Sequence, residues 1–270
     1  MKKIYLNLKR FDIPKSFGGI SKSEKNKNYG TIITSGIEKM NLSLPVTIYF
    51  QESNLLNALS VAKNVKIGCQ SVHYQDVSVG GNFGAFTTFR TAKAMKALGV
   101  SDTIIGHCEE RNHLNYLLSL GGNNGDTNKV LNEEIKRAQE AGLDVLYCIG
   151  EKAEEQDRKY EVLKHQLETG LKDVDLTKIT IAYEPVWAIG PGKVPPGKEY
   201  IEDIARYIKT VVNCPVVYGG GLKIENAEMI ASIDEVDGGL IALTKFGADF
   251  GFTLEDFEKI VHKYEEGLKK

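Results

Sequence analysis

The feature that most restricts the fold of this sequence is a regular alternation of short β-branched runs with amphipathic stretches. Apolar residues recur at helical spacing over 129–141, 201–212 and 254–264, and Gly142 ends the first of these stretches. Between the helical stretches lie runs with the length of buried strands. Eight strands are predicted, at residues 4–8, 46–50, 65–69, 103–106, 145–148, 179–183, 216–218 and 239–242. Eight βα units without a break in composition predict an α/β fold, a (β/α)8 barrel that forms one domain over residues 1–270.

A doubly wound open sheet is the alternative architecture for alternating strands and helices. Such a sheet normally carries a glycine-rich fingerprint directly after an early strand. The first predicted strand here ends in Asn-Leu-Lys-Arg-Phe instead. The sequence therefore favours the barrel.

Charge and composition exclude several classes of function. The 270 residues carry a net charge of −2 with acidic and basic residues interspersed, so nothing predicts binding to nucleic acid or to an acidic membrane surface. No apolar run approaches the ~20 residues of a membrane span, and the basic N-terminus lacks the apolar stretch of a signal peptide. The four cysteines lie far apart without Cys-x-x-Cys spacing. They predict buried free thiols in a cytoplasmic protein and no zinc or other metal site.

Residues 182–193, Ala-Tyr-Glu-Pro-Val-Trp-Ala-Ile-Gly-Pro-Gly-Lys, carry the strongest functional signal. Glu184 follows a predicted strand and precedes a stiff apolar segment that ends in a Gly-Pro-Gly hinge. A carboxylate beside a loop that can close over it suits a general base working away from water. Because a single Glu is more often an exposed surface residue, this interpretation needs partners. Asn7, Lys9 and His107 supply them, since each closes or follows another predicted strand, at the barrel end where active sites form.

Several segments of the chain resemble the triosephosphate isomerase family. They are Asn7-Leu8-Lys9, Gly84-Ala85-Phe86-Thr87, Ile104-Ile105-Gly106-His107-Cys108-Glu109-Glu110-Arg111, Cys148-Ile149-Gly150-Glu151, residues 182–193 and Tyr218-Gly219-Gly220. The resemblance implies a TIM barrel and an aldose–ketose isomerase. Such an enzyme interconverts glyceraldehyde 3-phosphate and dihydroxyacetone phosphate through an enediol or enediolate, with no cofactor and no metal.

The resemblance also implies a role for each polar residue of the site. Glu184 would be the catalytic base and His107 the electrophile. Asn7 and Lys9 would bind the substrate as part of the catalytic set. Glu109 would support Lys9 as a neighbouring charge.

At the phosphate end, the sequence keeps one family feature and departs from others. Gly190 would give a backbone N–H to the phosphate when the loop closes. The substrate-binding position held by serine in the family is Gly221 here, and the family's Gly-Gly pair in the eighth loop is Ala242 and Leu243. A side-chain donor is lost and the close backbone approach to an anion is obstructed. Lys245 is a candidate for a replacement charge.

Two further segments bear on assembly and substrate. Residues 84–91 correspond to the family's dimer loop and are apolar, which predicts a homodimer, with Arg90 and Glu110 as a reversed ion pair. Residues 11 to about 28 are longer than the family's first loop and begin beside Lys9, where an added loop can cap a different substrate.

These departures leave two alternatives to the triose phosphate reaction. The first is an isomerase of another short phosphorylated sugar, such as a tetrulose phosphate. The second, from another class, is a non-catalytic barrel that binds a phosphorylated metabolite. The presence of Lys9, His107 and Glu184 together argues against the non-catalytic alternative.

Overall fold

A computed structural model of the chain describes residues 2–122, 125–190, 192–245 and 250–270. Within these ranges the strands close into a barrel in which each strand pairs in parallel with the next, and the last pairs with the first. The strands are β1 (Lys3–Asn7), β2 (Val46–Phe50), β3 (Lys66–Gln70), β4 (Asp102–Ile105), β5 (Asp144–Ile149), β6 (Ile179–Tyr183), β7 (Val216–Tyr218) and β8 (Gly238–Ile241). The predicted (β/α)8 barrel is confirmed. Three strands have the predicted bounds, and the other strands differ from them by one residue at each end.

Helices follow the strands and cover the outside of the barrel. They are α1 (Tyr29–Glu38), α2 (Glu52–Leu59), α3 (Ala92–Leu98), α4 (Cys108–Leu120), α5 (Thr127–Glu140), α6 (Lys159–Gly170), α7 (Lys198–Val211), α8 (Ala227–Ala231) and α9 (Leu254–Gly267). The helix predicted over 129–141 begins earlier, because the Asp126 side chain accepts the backbone N–H of Asn128 at 2.9 Å and caps the first turn. Among the residues that the structure describes, no helix is at once long and apolar enough to cross a membrane.

Side chains alternate along each strand between the barrel interior and the helical layer. On β1, Ile4 and Leu6 pack in the cluster that joins strands to helices, whereas Tyr5 belongs to the interior cluster. The Tyr5 ring stacks against Tyr49 of β2 with centroids 6.1 Å apart. Because the period of a strand is two, Asn7 shares the inward face of Tyr5 at the carboxyl end of the barrel.

The additional residues after β1 form a compact loop before α1. Its Lys15–Phe17 segment is a 3-10 turn that ends at Gly18, whose φ of +84° is in the region that favours glycine. Bridge pairing joins Pro14 to Ser21. The Asn26 side-chain amide donates to the Asp12 carbonyl and, at 3.0 Å, to Ser21 Oγ. These bonds give the loop a defined shape.

Candidate active site

A cavity of about 300 Å³ opens at the carboxyl end of the strands. Its wall comes from the segments that follow β1, β4, β6, β7 and β8. All the residues predicted for the site lie in this wall: Asn7, Lys9, His107, Glu109, Glu184, Gly190, Gly221, Ala242 and Leu243. Closure of the barrel therefore brings together residues that are far apart in sequence.

Glu184 is buried in the cavity wall, with only 2% of its surface exposed. Its backbone N–H donates to the carbonyl of Ile149 at 2.8 Å, which fixes the end of β6 against β5. One carboxylate oxygen, Oε2, accepts the backbone N–H of Cys108 at 3.1 Å. The other, Oε1, lies 3.3 Å from His107 Nε2. The carboxylate is thus held at the cavity surface, within reach of a small molecule bound there.

His107 precedes the first turn of α4 and caps it. Its Nδ1 accepts the backbone N–H of Glu109 at 3.3 Å. A ring nitrogen that accepts a hydrogen bond carries no proton, so the geometry assigns the neutral tautomer with its proton on Nε2. The Nε2–H faces Glu184 Oε1. A neutral imidazole in this orientation can donate a hydrogen bond to a substrate carbonyl placed in the cavity.

Lys9 has a strained backbone, with φ of +43°. Its N–H donates to Asn7 Oδ1 at 3.0 Å, and its ammonium lies 2.7 Å from Glu109 Oε1. Burial raises the pKa of Glu109, but the Lys9 charge outweighs it and leaves that pKa below its usual value. The pair therefore holds the Lys9 ammonium at the cavity wall.

Gln70, at the end of β3, supports this arrangement and was not predicted. Its side-chain amide donates to Asn7 Oδ1 at 3.2 Å and to the Lys9 carbonyl at 3.0 Å. Both residues are thereby held from a neighbouring strand. Gln70 carries the same signal that identified Asn7, since it is a polar residue closing an apolar strand at the same barrel end.

Glu151, which follows β5, anchors the loop after Glu184 and was also not predicted. It is fully buried and faces neutral hydrogen-bond donors. Its carboxylate accepts from Trp187 Nε1 at 2.7 Å, from Tyr183 OH at 3.0 Å and from Tyr200 OH at 3.1 Å. Burial and this carboxylate raise the pKa of Tyr200 to about 12, so the phenol stays a donor. The loop is latched through Trp187 in this structure.

The predicted hinge of the loop lies at residues 190–192. Gly190 and Gly192 have φ of +115° and +74°, values that a residue with a side chain rarely adopts. Pro191, the middle residue of the predicted hinge, lies outside the described residues. A pair of such glycines lets the loop change direction over the cavity without the backbone strain that a residue with a side chain would suffer there.

One group of side chains in the described ranges has the spacing of metal ligands. His107, Cys108 and Glu184 offer donor atoms within 4.8 Å of one another. Burial, with the neighbouring Glu184 carboxylate, raises the pKa of the Cys108 thiol to about 12. A neutral thiol is a weak ligand, because metals bind the thiolate. The donor set is therefore a poor fit to a metal, and the absence of a metal stays a prediction.

The end of the cavity where the sequence predicts phosphate binding differs from the expectation at one point. Gly221, with φ of +89°, and the apolar side chains of Ala242 and Leu243 line it. Lys245 belongs to two neighbouring cavities and not to this one. Besides Lys9, the wall contains Lys223, which sequence reasoning missed.

The added loop after β1 lies beside the site and not in it. Among the described residues, none from 11–28 lines the 300 Å³ cavity. Instead, Phe11, Lys15 and Lys22 line a separate cavity of about 200 Å³ together with Lys245 and residues 250–253. The loop thus packs on the segment that follows β8.

Comparison with known proteins gives the family. Residues 21–263 match the sequence profile described as triosephosphate isomerase. The triosephosphate isomerase of Prosthecochloris aestuarii is 35% identical over 214 residues, which cover 75% of this chain and 76% of the relative. That of Mycoplasmopsis pulmonis is 30% identical over 225 residues, covering 82% and 84%.

A solved structure agrees with the sequence relatives. The crystal structure of triosephosphate isomerase from Bartonella henselae superimposes with a TM-score of 0.73 and 25% identity, covering 98% of this chain and 99% of that one. The barrel, the segments around Glu184 and His107, and these matches lead to one conclusion. The chain belongs to the triosephosphate isomerase family, a family of isomerases.

Proposed function

We propose that this protein, acting as a single (β/α)8 domain, interconverts glyceraldehyde 3-phosphate and dihydroxyacetone phosphate. The observation that carries the proposal is the pairing of Glu184 with the Nε2–H of His107, 3.3 Å apart in one cavity with Lys9. A carboxylate, a neutral imidazole donor and a cation are the groups that proton transfer next to a carbonyl requires.

The reaction moves one proton between adjacent carbons and a second proton between the two oxygens that these carbons carry. Glu184 takes the proton from the carbon beside the carbonyl, and the electron pair of that C–H bond moves onto the carbonyl oxygen to give an enediolate. His107 Nε2–H donates to that oxygen, and the Lys9 ammonium stabilises its charge. His107 Nε2–H gives its proton to that oxygen and takes the proton of the hydroxyl on the neighbouring carbon. That hydroxyl oxygen becomes the new carbonyl as Glu184 returns its proton to the former carbonyl carbon. Triosephosphate isomerase is itself the established example of a glutamate base with a neutral histidine and a closing loop, so these roles are those of the family.

Substrate binding must break two contacts seen here. Glu184 leaves the Cys108 N–H, and the substrate oxygen replaces Glu184 as the partner of His107. The loop that carries Trp187 and Gly190 closes over the cavity as the Glu151 latch releases. Exclusion of water then strengthens each charge–dipole contact and protects the enediolate.

The test is isomerisation followed by proton NMR in heavy water, with glyceraldehyde 3-phosphate beside four-carbon ketose phosphates. Wild type should convert the triose phosphate and take up deuterium from the solvent. Glu184→Gln removes the base and should slow turnover by about 10²–10⁴-fold. The matched control is Glu168→Gln, a substitution of an exposed glutamate on α6, which should turn over at the wild-type rate. Absence of turnover on every substrate, with phosphate still bound, would leave the non-catalytic alternative.

A second candidate, isomerisation of a tetrulose phosphate, rests on the altered anion end of the cavity. Gly221, Ala242 and Leu243 offer no polar side-chain atoms there. The chemistry at Glu184 and His107 does not depend on the length of the sugar. A higher kcat/KM for a four-carbon phosphate than for the triose phosphate would select this candidate.

We further propose that the protein is a homodimer through residues 84–91 and the adjacent Phe83. Phe83 is 94% exposed, and Phe89 stacks on His73 at 4.1 Å while remaining largely exposed. The reversed pair adds no support, since within the protomer Arg90 Nε donates to the Ser71 carbonyl at 2.7 Å. The proposal therefore rests on the exposed apolar loop.

Light scattering tests this assembly. Phe83→Asp should shift the protein toward the monomer, whereas Phe17→Asp, which changes a phenylalanine of similar exposure on the added loop, should not. A wild-type monomer at working concentration would refute the dimer.

A cytoplasmic location is proposed from the cysteines, which are all free in this structure, as in proteins of reducing compartments. Cell fractionation tests that location.

A further inference from the structure

The turn that presents His107 is held by the first turn of α4. The Gly106 N–H donates to Glu110 Oε2 at 2.6 Å, and the Gly106 carbonyl accepts from Arg111 Nε at 2.8 Å. Gly106 has φ of +80°, and a Cβ there would lie 2.8 Å from the Cys148 carbonyl oxygen, so the turn fits closely against β5. Two side chains of α4 therefore fix the residue that directly precedes the proposed electrophile.

Glu110 acts from outside the 300 Å³ cavity. Within the part of the chain that the structure describes, the wall of that cavity includes His107 and Glu109 but not Glu110. Glu110 lines a neighbouring cavity of about 270 Å³ instead. Because its carboxylate accepts the Gly106 N–H, its effect on the reaction passes through the turn that carries His107.

A second carboxyl group, that of Glu134 on α5, packs against Glu110. Glu134 has only 6% of its surface exposed. Its side chain is hydrogen-bonded to the Glu110 carboxyl group and to Ser71 Oγ, the latter at 3.3 Å. Two carboxylates cannot hydrogen-bond to each other, because neither has a donor, so one of the two groups carries a proton. The Gly106 N–H stabilises a negative charge on Glu110, which places the proton on Glu134.

The neighbouring cations donate to neutral oxygens and leave the need for this proton in place. Arg90 Nε donates to the Ser71 carbonyl at 2.7 Å, and Arg111 Nη1 donates to Asn128 Oδ1 at 2.8 Å. Burial, with the adjacent Glu110 carboxylate, outweighs the attraction of Arg90 and holds the pKa of Glu134 well above its usual value. The charged and titratable groups around the two carboxyl groups are Arg90, His107, Arg111 and, around the 270 Å³ cavity, Lys9, Glu109 and His113.

We propose that Glu110 is a positioning residue for His107, held in place by a proton that Glu134 carries at neutral pH. Without that proton, two adjacent carboxylates would repel each other in a buried space, and Glu110 would leave the Gly106 N–H. The His107 imidazole would then lose its orientation toward a substrate carbonyl. The effect on turnover rests on the proposed function, whereas the contact between Glu110 and Gly106 can be measured without a substrate.

The first measurement is kcat against pH, from about pH 6 to about pH 10, for wild type and Glu134→Gln. Glutamine mimics the protonated acid at every pH. The alkaline decline of kcat should therefore begin at a lower pH in wild type than in Glu134→Gln. Glu140→Gln is the matched control, because it makes the same change at an exposed position of α5, and its profile should coincide with that of wild type. Coincident profiles for wild type and Glu134→Gln would overturn the proposal.

Substitution of Glu110 separates positioning from stability. Glu110→Ala removes the acceptor of the Gly106 N–H and should lower kcat by at least about tenfold, with KM changed by less than about twofold. Glu110→Gln keeps an acceptor oxygen and turns an amide donor toward Glu134. It should therefore recover most of that kcat. A folded Glu110→Ala enzyme with wild-type kcat, or Glu110→Gln as slow as Glu110→Ala, would contradict the positioning role.

NMR of protein with isotope-labelled glycine tests the contact in the absence of substrate. The Gly106 amide resonance should shift with pH in wild type as Glu134 loses its proton, and Glu134→Gln should abolish that shift. Glu110→Ala identifies the resonance, because it removes the acceptor of this N–H. A Gly106 amide that shifts equally in wild type and Glu134→Gln, or in neither, would overturn the proposal. A protein that shows the expected shift but isomerises nothing would refute the proposed function and leave the contact and its proton standing.

Discussion

Gly150→Ala should damage catalysis although it adds one methyl group outside the cavity wall. Gly150 follows β5 and is buried against the end of β6. A Cβ on this residue would lie 1.7 Å from the Glu184 carbonyl oxygen. Cβ atoms essentially never come within 3.0 Å of another heavy atom, so the two backbones must separate by at least about 1.3 Å. Gly150 cannot yield easily, because Gln166 holds its N–H at 2.8 Å and its carbonyl at 2.9 Å.

The displacement therefore falls on Glu184, and the size of the displacement determines the expected loss of reaction rate. A misplacement of about 1 Å costs roughly 10²-fold in rate, equivalent to about 2.7 kcal/mol of the activation barrier. Overpacking should also destabilise the fold by about 1–3 kcal/mol. For a chain of this length that lowers Tm by about 2–12 °C.

Steady-state isomerase kinetics and a thermal melt test the prediction together. Gly121→Ala is the matched control, because its added Cβ would come no closer than 3.5 Å to the Leu118 carbonyl oxygen, at the end of α4. The control should keep wild-type kcat. A folded Gly150→Ala enzyme with kcat within about threefold of wild type would refute the reasoning that this close approach positions the base.

Three further substitutions or modifications probe the site and its surroundings. Glu184→Asp retracts the carboxylate by about one methylene and should lower kcat by about 10²-fold with KM nearly unchanged; steady-state kinetics check this, and an effect on KM alone would contradict the role of base. Burial, with the adjacent Glu110 carboxylate, holds the pKa of Glu134 well above its usual value, so the stability that its proton supplies is present in acid and lost as pH rises through that pKa. Glu134→Gln should therefore raise Tm more at about pH 8 than at about pH 5, and equal shifts in thermal melts would count against it. Because the pKa of Cys108 is about 12, iodoacetamide at about pH 8 should modify this thiol far more slowly than free cysteine; mass spectrometry measures the rate, and equal rates would show that the thiolate is accessible.

The barrel could be predicted from the sequence because each of its strands is buried on both faces. Runs such as Val46–Phe50 and Ile179–Tyr183 are short, apolar and β-branched, and the helical period resumes between them. The ends of the helices were harder to predict from the sequence. The first turn of α5 depends on the Asp126 cap, and polar capping residues lie outside the apolar pattern that reveals a helix.

The site was predictable where a residue acts from the end of its own strand, and less so where it acts through a partner. Glu184 and His107 could be identified because each directly follows a strand. Glu151 also follows a strand, but that position does not reveal its role, which depends on three donors that the fold gathers from β6, the following loop and α7. Lys223 was missed because it lies five residues beyond the end of β7 and not at the strand end itself.

Proton transfer and anion binding depend on geometry to different degrees. This difference explains how the anion end of the site can change while the residues proposed for proton transfer are kept. The proposed proton-transfer groups are fixed through the backbone: Asn7 Oδ1 holds the Lys9 N–H, and the Ile149 carbonyl holds the Glu184 N–H. A substitution there alters direction and distance, on which proton transfer depends steeply. Anion binding depends mainly on the sign and approximate position of a charge, and this dependence on distance is gradual. Residues such as Gly221, Ala242 and Leu243 can therefore change at the end of the cavity where the sequence predicts phosphate binding, without rebuilding the barrel that positions Glu184 and His107.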